Sequence, residues 1–157
     1  MFTELKARVR RMLAYTPETE IPAAGCTIDT FIKLHREISV ELSKSYDIIL
    51  SMKKYVYENY GNSTISLANI AHELHMNETY ISRLFKEKTG ERFVDFLINV
   101  RIKNAKALLS TGKYTVNDVA HAVGYSQVKY FRTIFKKITG ISASEYIMRA
   151  VVGGYDL

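Results

Sequence analysis

Ile70-Ala71-His72-Glu73-Leu74 leads into Tyr80-Ile81-Ser82-Arg83-Leu84-Phe85-Lys86 and closes on Thr89-Gly90; Val119-Ala120-His121-Ala122-Val123 leads into Tyr130-Phe131-Arg132-Thr133-Ile134-Phe135-Lys136 and closes on Thr139-Gly140. The two stretches are copies, offset by 49 at the alanines and 50 at the phenylalanines, so the second holds one extra residue. Each reads as a short helix, a tight turn and a longer amphipathic helix, the layout of a helix-turn-helix, whose second helix lies in the DNA major groove. Small Ala71 and Ala120 let the paired helices approach closely. Leu74, Ile81, Leu84 and Phe85 would close the first core, and Val123, Phe131, Ile134 and Phe135 the second. Gly124 stands where the turn asks for a left-handed backbone, with His75 at the equivalent place in the first copy.

The periodicity around these copies is 3.6 throughout. A long helical pattern runs from about residue 27 to 60, and shorter ones cover about 66–74, 78–88, 92–110, 116–123, 127–138 and 143–150. Gly61-Asn62, Gly90, Gly112, Gly124 and Gly140 separate them. Ser66, Asn77, Ser126 and Ser142 are read as N-caps, the last forming a capping box with Glu145. The expected fold is all-α: two helix-turn-helix subdomains, about 66–89 and 116–139, joined by a connecting helix at about 91–110 and preceded by a long N-terminal helix. Twenty helical residues would span ~30 Å. That is close to the ~34 Å of one DNA turn, so the connector could hold two reading helices on one face of the duplex.

The chain has 157 residues, one Cys and a net charge of +6. Residues 46–157 hold 15 basic and 10 acidic residues against 7 and 6 in residues 1–45, so the excess lies with the repeat. A basic domain attracts polyanions. No apolar run reaches the ~20 residues of a membrane span. The basic N-terminal stretch lacks the apolar block of a secretory signal, and a lone Cys26 fits a reducing compartment. The composition therefore predicts a cytoplasmic protein with no membrane partner.

Residues 46–150 resemble the DNA-binding domain of the AraC/XylS family of bacterial transcription regulators. The match rests on Val116-Asn117-Asp118-Val119-Ala120-His121-Ala122-Val123-Gly124-Tyr125-Ser126, the Tyr130 to Gly140 stretch, Tyr146, Tyr80 to Lys86, and Arg101-Ile102-Lys103-Asn104-Ala105. The departures are small: His75 for the usual Gly, and Ile141-Ser142-Ala143-Ser144 where the family commonly places prolines. The resemblance implies a regulator, an activator by the family's habit, that binds double-stranded DNA at a bipartite site and meets RNA polymerase.

The solvent face near the start of each second helix should reach base edges, with phosphate contacts around it. Thr79, Ser82 and Arg83 are the expected readers in the first unit, with Asn77, Tyr80 and Lys86 on the backbone. Gln127, Val128, Lys129, Arg132 and Thr133 are the readers in the second, with Ser126 and Lys136 at the edges; the resemblance points to the same positions. Arg83 and Lys129 can donate to guanine O6/N7, and Val128 can pack on a thymine methyl. Thr115 and Asn117 open a helix whose amide end could hold a phosphate, and Asn117 is counted with the backbone contacts. Lys53, Lys54, Arg101, Lys103 and Lys106 are read as solvated helix faces.

Enzyme chemistry finds no foothold. His72-Glu73-Leu74-His75 spaces its histidines at i, i+3, with Met76 where a zinc motif needs the second ligand. No catalytic residue, metal or cofactor is expected, and Cys26 is read as a spectator thiol. Residues 1–26 read as a basic helix plus a Pro-containing linker at about 16–25. The helix, residues 2–14, is similar to the closing helix of a response-regulator receiver domain, which would make the chain a fragment of a two-component regulator. Residues 27–45 read as a helical extension and 151–157 as a tail.

Ile28, Phe31, His35, Ile38, Leu42, Ser45, Ile49, Met52 and Val56 follow 3-4 spacing. They read either as a homodimer seam through residues 28–56 or as a stripe whose last three members join the domain core while the rest packs intramolecularly. Two other functions compete with the regulator: a helical protein-interaction module, and a nonspecific nucleic-acid binder acting by charge alone.

Overall fold

The structure, a computed structural model, describes residues 28–152. Among them seven helices and no strand occur: α1 Ile28–Asn59, α2 Leu67–Glu73, α3 Glu78–Thr89, α4 Phe93–Ser110, α5 Val116–Ala122, α6 Val128–Thr139 and α7 Ala143–Val152. The all-α expectation and the order of its elements hold. The stretch at 2–14, the linker, Cys26 and residues 153–157 lie outside the described residues, as do the side chains of Ile28 and Phe31. None of the described helices is long and apolar enough to cross a membrane.

The chain divides into two units, Met1–Asp47 and Ile48–Leu157. In the first, the α1 hydroxyls of Ser39 and Ser45 donate back to the carbonyls of His35 and Glu41, each at 2.9 Å. Along the 3-4 stripe His35 is exposed, Ile38 is half-buried, Leu42 is 40% exposed and Ser45 is buried. In the second unit Ile49, Met52 and Val56 are buried in a core, so these three follow the intramolecular alternative.

The second unit holds two apolar cores. Ile49, Met52 and Val56 of α1, Ile70 and Ala71 of α2, and Ile81, Leu84 and Phe85 of α3 build the first, closed by Phe93, Phe96, Leu97 and Val100. Ile102, Ala105 and Leu109 open the second, joined by Val116, Val119 and Ala120 of α5, Val123 and Tyr125 of the turn after it, Phe131 and Phe135 of α6, and Ala143 of α7. One helix therefore serves both: α4 buries its first half in one core and its second half in the other. Its 18 residues span ~27 Å.

The duplication extends beyond the stretches that revealed it. Upstream, the amide N–H of Asn69 donates to Ser66 Oγ and that of Asp118 to Thr115 Oγ1, each at 3.2 Å. The alanine offset of 49 carries one pair onto the other. Downstream, Gly90 and Gly140 end α3 and α6 at φ 81° and 82°. The hydroxyls of Thr89 and Thr139 donate to the carbonyls of Phe85 and Phe135 at 2.7 and 2.8 Å. Fifty residues separate the start of α4 from the start of α7, and the rings Phe85–Phe96 at 5.5 Å match Phe135–Tyr146 at 5.6 Å.

Three sequence expectations need correction. Ser126 does not cap α6: Gln127 takes that position without a side-chain bond, because the extra residue of the second turn moves the helix start one place on. Ser142 Oγ does accept from the Glu145 N–H at 3.1 Å, but the Glu145 carboxylate pairs with Arg149 at 2.7 Å. The reciprocal capping box is found instead at Thr115–Asp118. Arg101, read as a solvated cation, is only 8% exposed. Of its companions, Lys103 is exposed, Lys106 is half-buried, Lys54 lies 3.8 Å from Glu58, and the Lys53 ammonium lies 5.7 Å over the Phe96 ring.

Candidate nucleic-acid interface

In the first unit the turn between α2 and α3 is made by His75, whose φ of 50° is left-handed. Asn77 then caps α3, its Oδ1 accepting from the Tyr80 N–H at 3.1 Å. That cap satisfies one of the first-turn amides that a helix leaves unpaired. With Ile81, Leu84 and Phe85 turned into the core, Thr79, Ser82, Arg83 and Lys86 stand exposed. These four line a groove of about 490 Å³ together with Leu67, Glu78 and Arg92. The structure thus brings the three expected readers and Lys86 to one surface. Asn77 is exposed at the helix start, whereas Tyr80 is half-buried against the first core.

Arg92 was not singled out from sequence. Its Nε donates to Asp95 Oδ2 at 2.8 Å, and this bond holds the Asp95 carboxyl below its ordinary range. The paired guanidinium lines the same groove as Glu78, the one acidic residue of that lining.

In the second unit Gly124 makes the turn at φ 89°. Gln127, Lys129, Arg132, Thr133 and Lys136 are exposed along α6, and Ser126 is exposed just before it. Val128 is half-buried and packs on the second core, so only part of it faces outward. Arg132 Nη2 donates to Asn117 Oδ1 at 3.3 Å, which ties an expected reader to an expected backbone contact across α5 and α6. The Thr133 hydroxyl donates to the Lys129 carbonyl at 3.1 Å.

The amide end of α5 already holds an anion. Thr115 donates to Asp118 Oδ2 through its hydroxyl at 2.6 Å and its N–H at 3.1 Å, and these bonds hold the Asp118 carboxyl below its ordinary range. The Thr115 end is therefore a self-capped helix start, with the Asp118 carboxylate beside the helix end where a phosphate contact is expected.

Arg101 was the residue misread. Its Nε donates to the Tyr60 carbonyl at 2.9 Å, its Nη2 to the Asn62 carbonyl at 2.8 Å, and its guanidinium lies 5.2 Å over the Tyr125 ring. Burial pushes its pKa down, with Tyr125 partly restoring it, and an arginine stays protonated regardless. A signal was available: Arg101 falls on the Leu97, Ala105, Leu109 face of α4, the buried one.

Two helix-turn-helix units on a shared helix, each presenting an exposed polar and cationic helix face, define a double helix-turn-helix domain. A family signature described as a helix-turn-helix domain matches residues 70–149. The uncharacterized transcriptional regulatory protein YesN of Bacillus subtilis is 34% identical over 102 residues, which are 63% of this chain and 28% of that protein. The C-terminal domain of AraT, a response regulator from Geobacillus stearothermophilus, superposes with a TM-score of 0.63 at 30% identity, covering 64% of this chain and 84% of that one. The DNA-binding domain of AdpA, a global transcriptional factor solved with a target DNA, superposes with a TM-score of 0.61 at 25% identity, covering 65% and 93%. This chain belongs to the AraC-type family of helix-turn-helix transcription regulators. It spans well under half the length of the curated relatives it matches.

Proposed function

We propose that this chain is the DNA-reading part of a transcription regulator, with α3 and α6 entering successive major-groove segments of a bipartite site. The observation that carries this reading is the duplicated pair of exposed helix faces in a chain of this family. On α3, Arg83 is the reader and Thr79 and Ser82 flank it, while Asn77, Tyr80 and Lys86 hold the phosphates. On α6, Lys129 and Arg132 read bases with Gln127, Thr133 and the exposed edge of Val128, and Asn117, Ser126 and Lys136 lie toward the backbone. Arginine is suited to the first role because its fork matches guanine O6 and N7.

The relatives named above are regulators, and one is a response regulator. A cytoplasmic two-component regulator, activating by contact with RNA polymerase, is accordingly the whole-protein reading. With Ser45, Ile49, Met52 and Val56 buried, a homodimer seam would be confined to residues 28–42.

Selection of bound duplexes from a randomised library tests the proposal. Two short enriched elements about 10 bp apart are expected. Arg83→Ala should cost about 1–3 kcal/mol and relax preference at one position, whereas Lys136→Ala should weaken all sequences alike and lower the salt slope by about 1. Binding without enrichment, lost as salt rises, would leave charge as the whole explanation.

A further inference from the structure

Arg101 is a buried cation whose head is satisfied by two backbone carbonyls and a ring, with no carboxylate ion pair among the described residues. Burying a charge in that way is costly, so its retention asks for a geometric reason. The carbonyls belong to the turn that follows α1, beside the first core, while Tyr125 and Gly124 belong to the turn of the second unit. The contact is close from both sides. A Cβ on Gly124 would lie 2.5 Å from the Tyr60 carbonyl oxygen and 2.8 Å from Arg101 Nη2, and a Cβ on Gly61 would lie 2.8 Å from the Ala122 oxygen. Tyr60 itself packs against both cores.

The two units are therefore joined twice, once along α4 and once through this clamp. A single helix still bends and twists; a second strut across the same gap fixes the angle. Arginine suits the clamp because its planar fork reaches both carbonyls at once, which a lysine ammonium on a flexible stem does not.

We infer that Arg101 is a positioning residue that sets the separation between the two DNA elements the chain accepts. The inference rests on the DNA-reading proposal above. Two linked binding modules gain most where their spacing matches the target and lose that gain elsewhere. A stiff joint narrows the match, and a loosened one broadens it without altering what either helix reads.

The test uses the full chain and duplexes carrying both selected elements at the selected separation, or with one base pair added or removed. The wild-type chain should discriminate among these separations by about tenfold or more, and Arg101→Lys should flatten that to within about threefold, with base preferences within each element unchanged. Gly61→Ala disturbs the same clamp while leaving Arg101 in place and should flatten the discrimination too, so a poorly folded arginine variant does not decide the matter. Spin labels at exposed positions 87 and 137, with Cys26→Ser, give a readout without DNA: the distance distribution between α3 and α6 should broaden in both variants. Folded variants that keep the wild-type spacing discrimination and a narrow distribution would overturn the role of Arg101 while leaving DNA reading intact. A wild-type chain with no preference for any sequence would overturn the DNA-reading proposal, and this inference with it.

Discussion

The turns of the two helix-turn-helix units begin identically. The N–H of Met76 donates to the Ala71 carbonyl at 2.8 Å, and that of Tyr125 to the Ala120 carbonyl at 2.9 Å. They differ in what holds them. The first turn is held locally, by the Asn77 cap, and it tolerates a histidine at positive φ. The second has an extra residue, no side-chain cap on α6, and a glycine pressed against Tyr60 and Arg101. Its Tyr125 ring packs on Phe131 at 5.4 Å, and its buried hydroxyl finds no hydrogen-bond partner among the described residues. The turn of one supersecondary unit is thus held in two ways, by a local side-chain cap in the first copy and by docking in the second.

The largest test of that contrast exchanges the turn residues. Gly124→Ala meets both a left-handed backbone and the carbonyl of Tyr60, and should cost on the order of 3 kcal/mol in thermal or denaturant unfolding. His75→Gly trades the strain of a left-handed histidine against the greater freedom of glycine in the unfolded chain, and should fall within about 1 kcal/mol of wild type. Equal costs at the two positions would erase the distinction.

A smaller effect is expected at the helix starts. Asn77→Ala should lose ~1 kcal/mol of stability with its cap, while Gln127→Ala, which has no cap bond to lose, should leave the melting temperature nearly unchanged.

The smallest effect is a pH dependence at the helix start of α5, which its counterpart in the first copy lacks. The Asp118 carboxyl is held below its ordinary value by Thr115, so the unfolded chain binds the proton more readily than the folded one. The stability it lends is therefore full above the ordinary carboxylate pKa and fades as pH falls through the lower folded value. Asp118→Asn should narrow its gap from wild type on acidification. The equivalent Asn69 in the first unit carries no such charge, so Asn69→Ala should show the same gap at pH 7 and pH 3.

Most of the fold was legible because the repeat gave two readings of the same element. Alanine at each crossing and Thr-Gly at each helix end mean one thing in both copies. What escaped notice depended on partners far away in sequence. Arg101 reaches residues 60 and 62 from position 101, and a charge count along α4 assigns it to solvent. Ser126 was misjudged because cap residues are chosen by type, whereas the inserted residue shifts the frame by one. At the interface, the exposed polar face of each second helix could be picked out by periodicity. The half-burial of Tyr80 and Val128 could not, since both stand at the margin between core and face.

The shared helix α4 also gives the duplication a direction. Asp95-Phe96-Leu97-Ile98 in α4 and Glu145-Tyr146-Ile147-Met148 in α7 occupy matching places fifty residues apart. Ile98 is half-buried against the core of the unit that follows it, whereas Met148 is 69% exposed. The helix α4 thus closes one copy and opens the next, a second role that α7 does not show among the described residues.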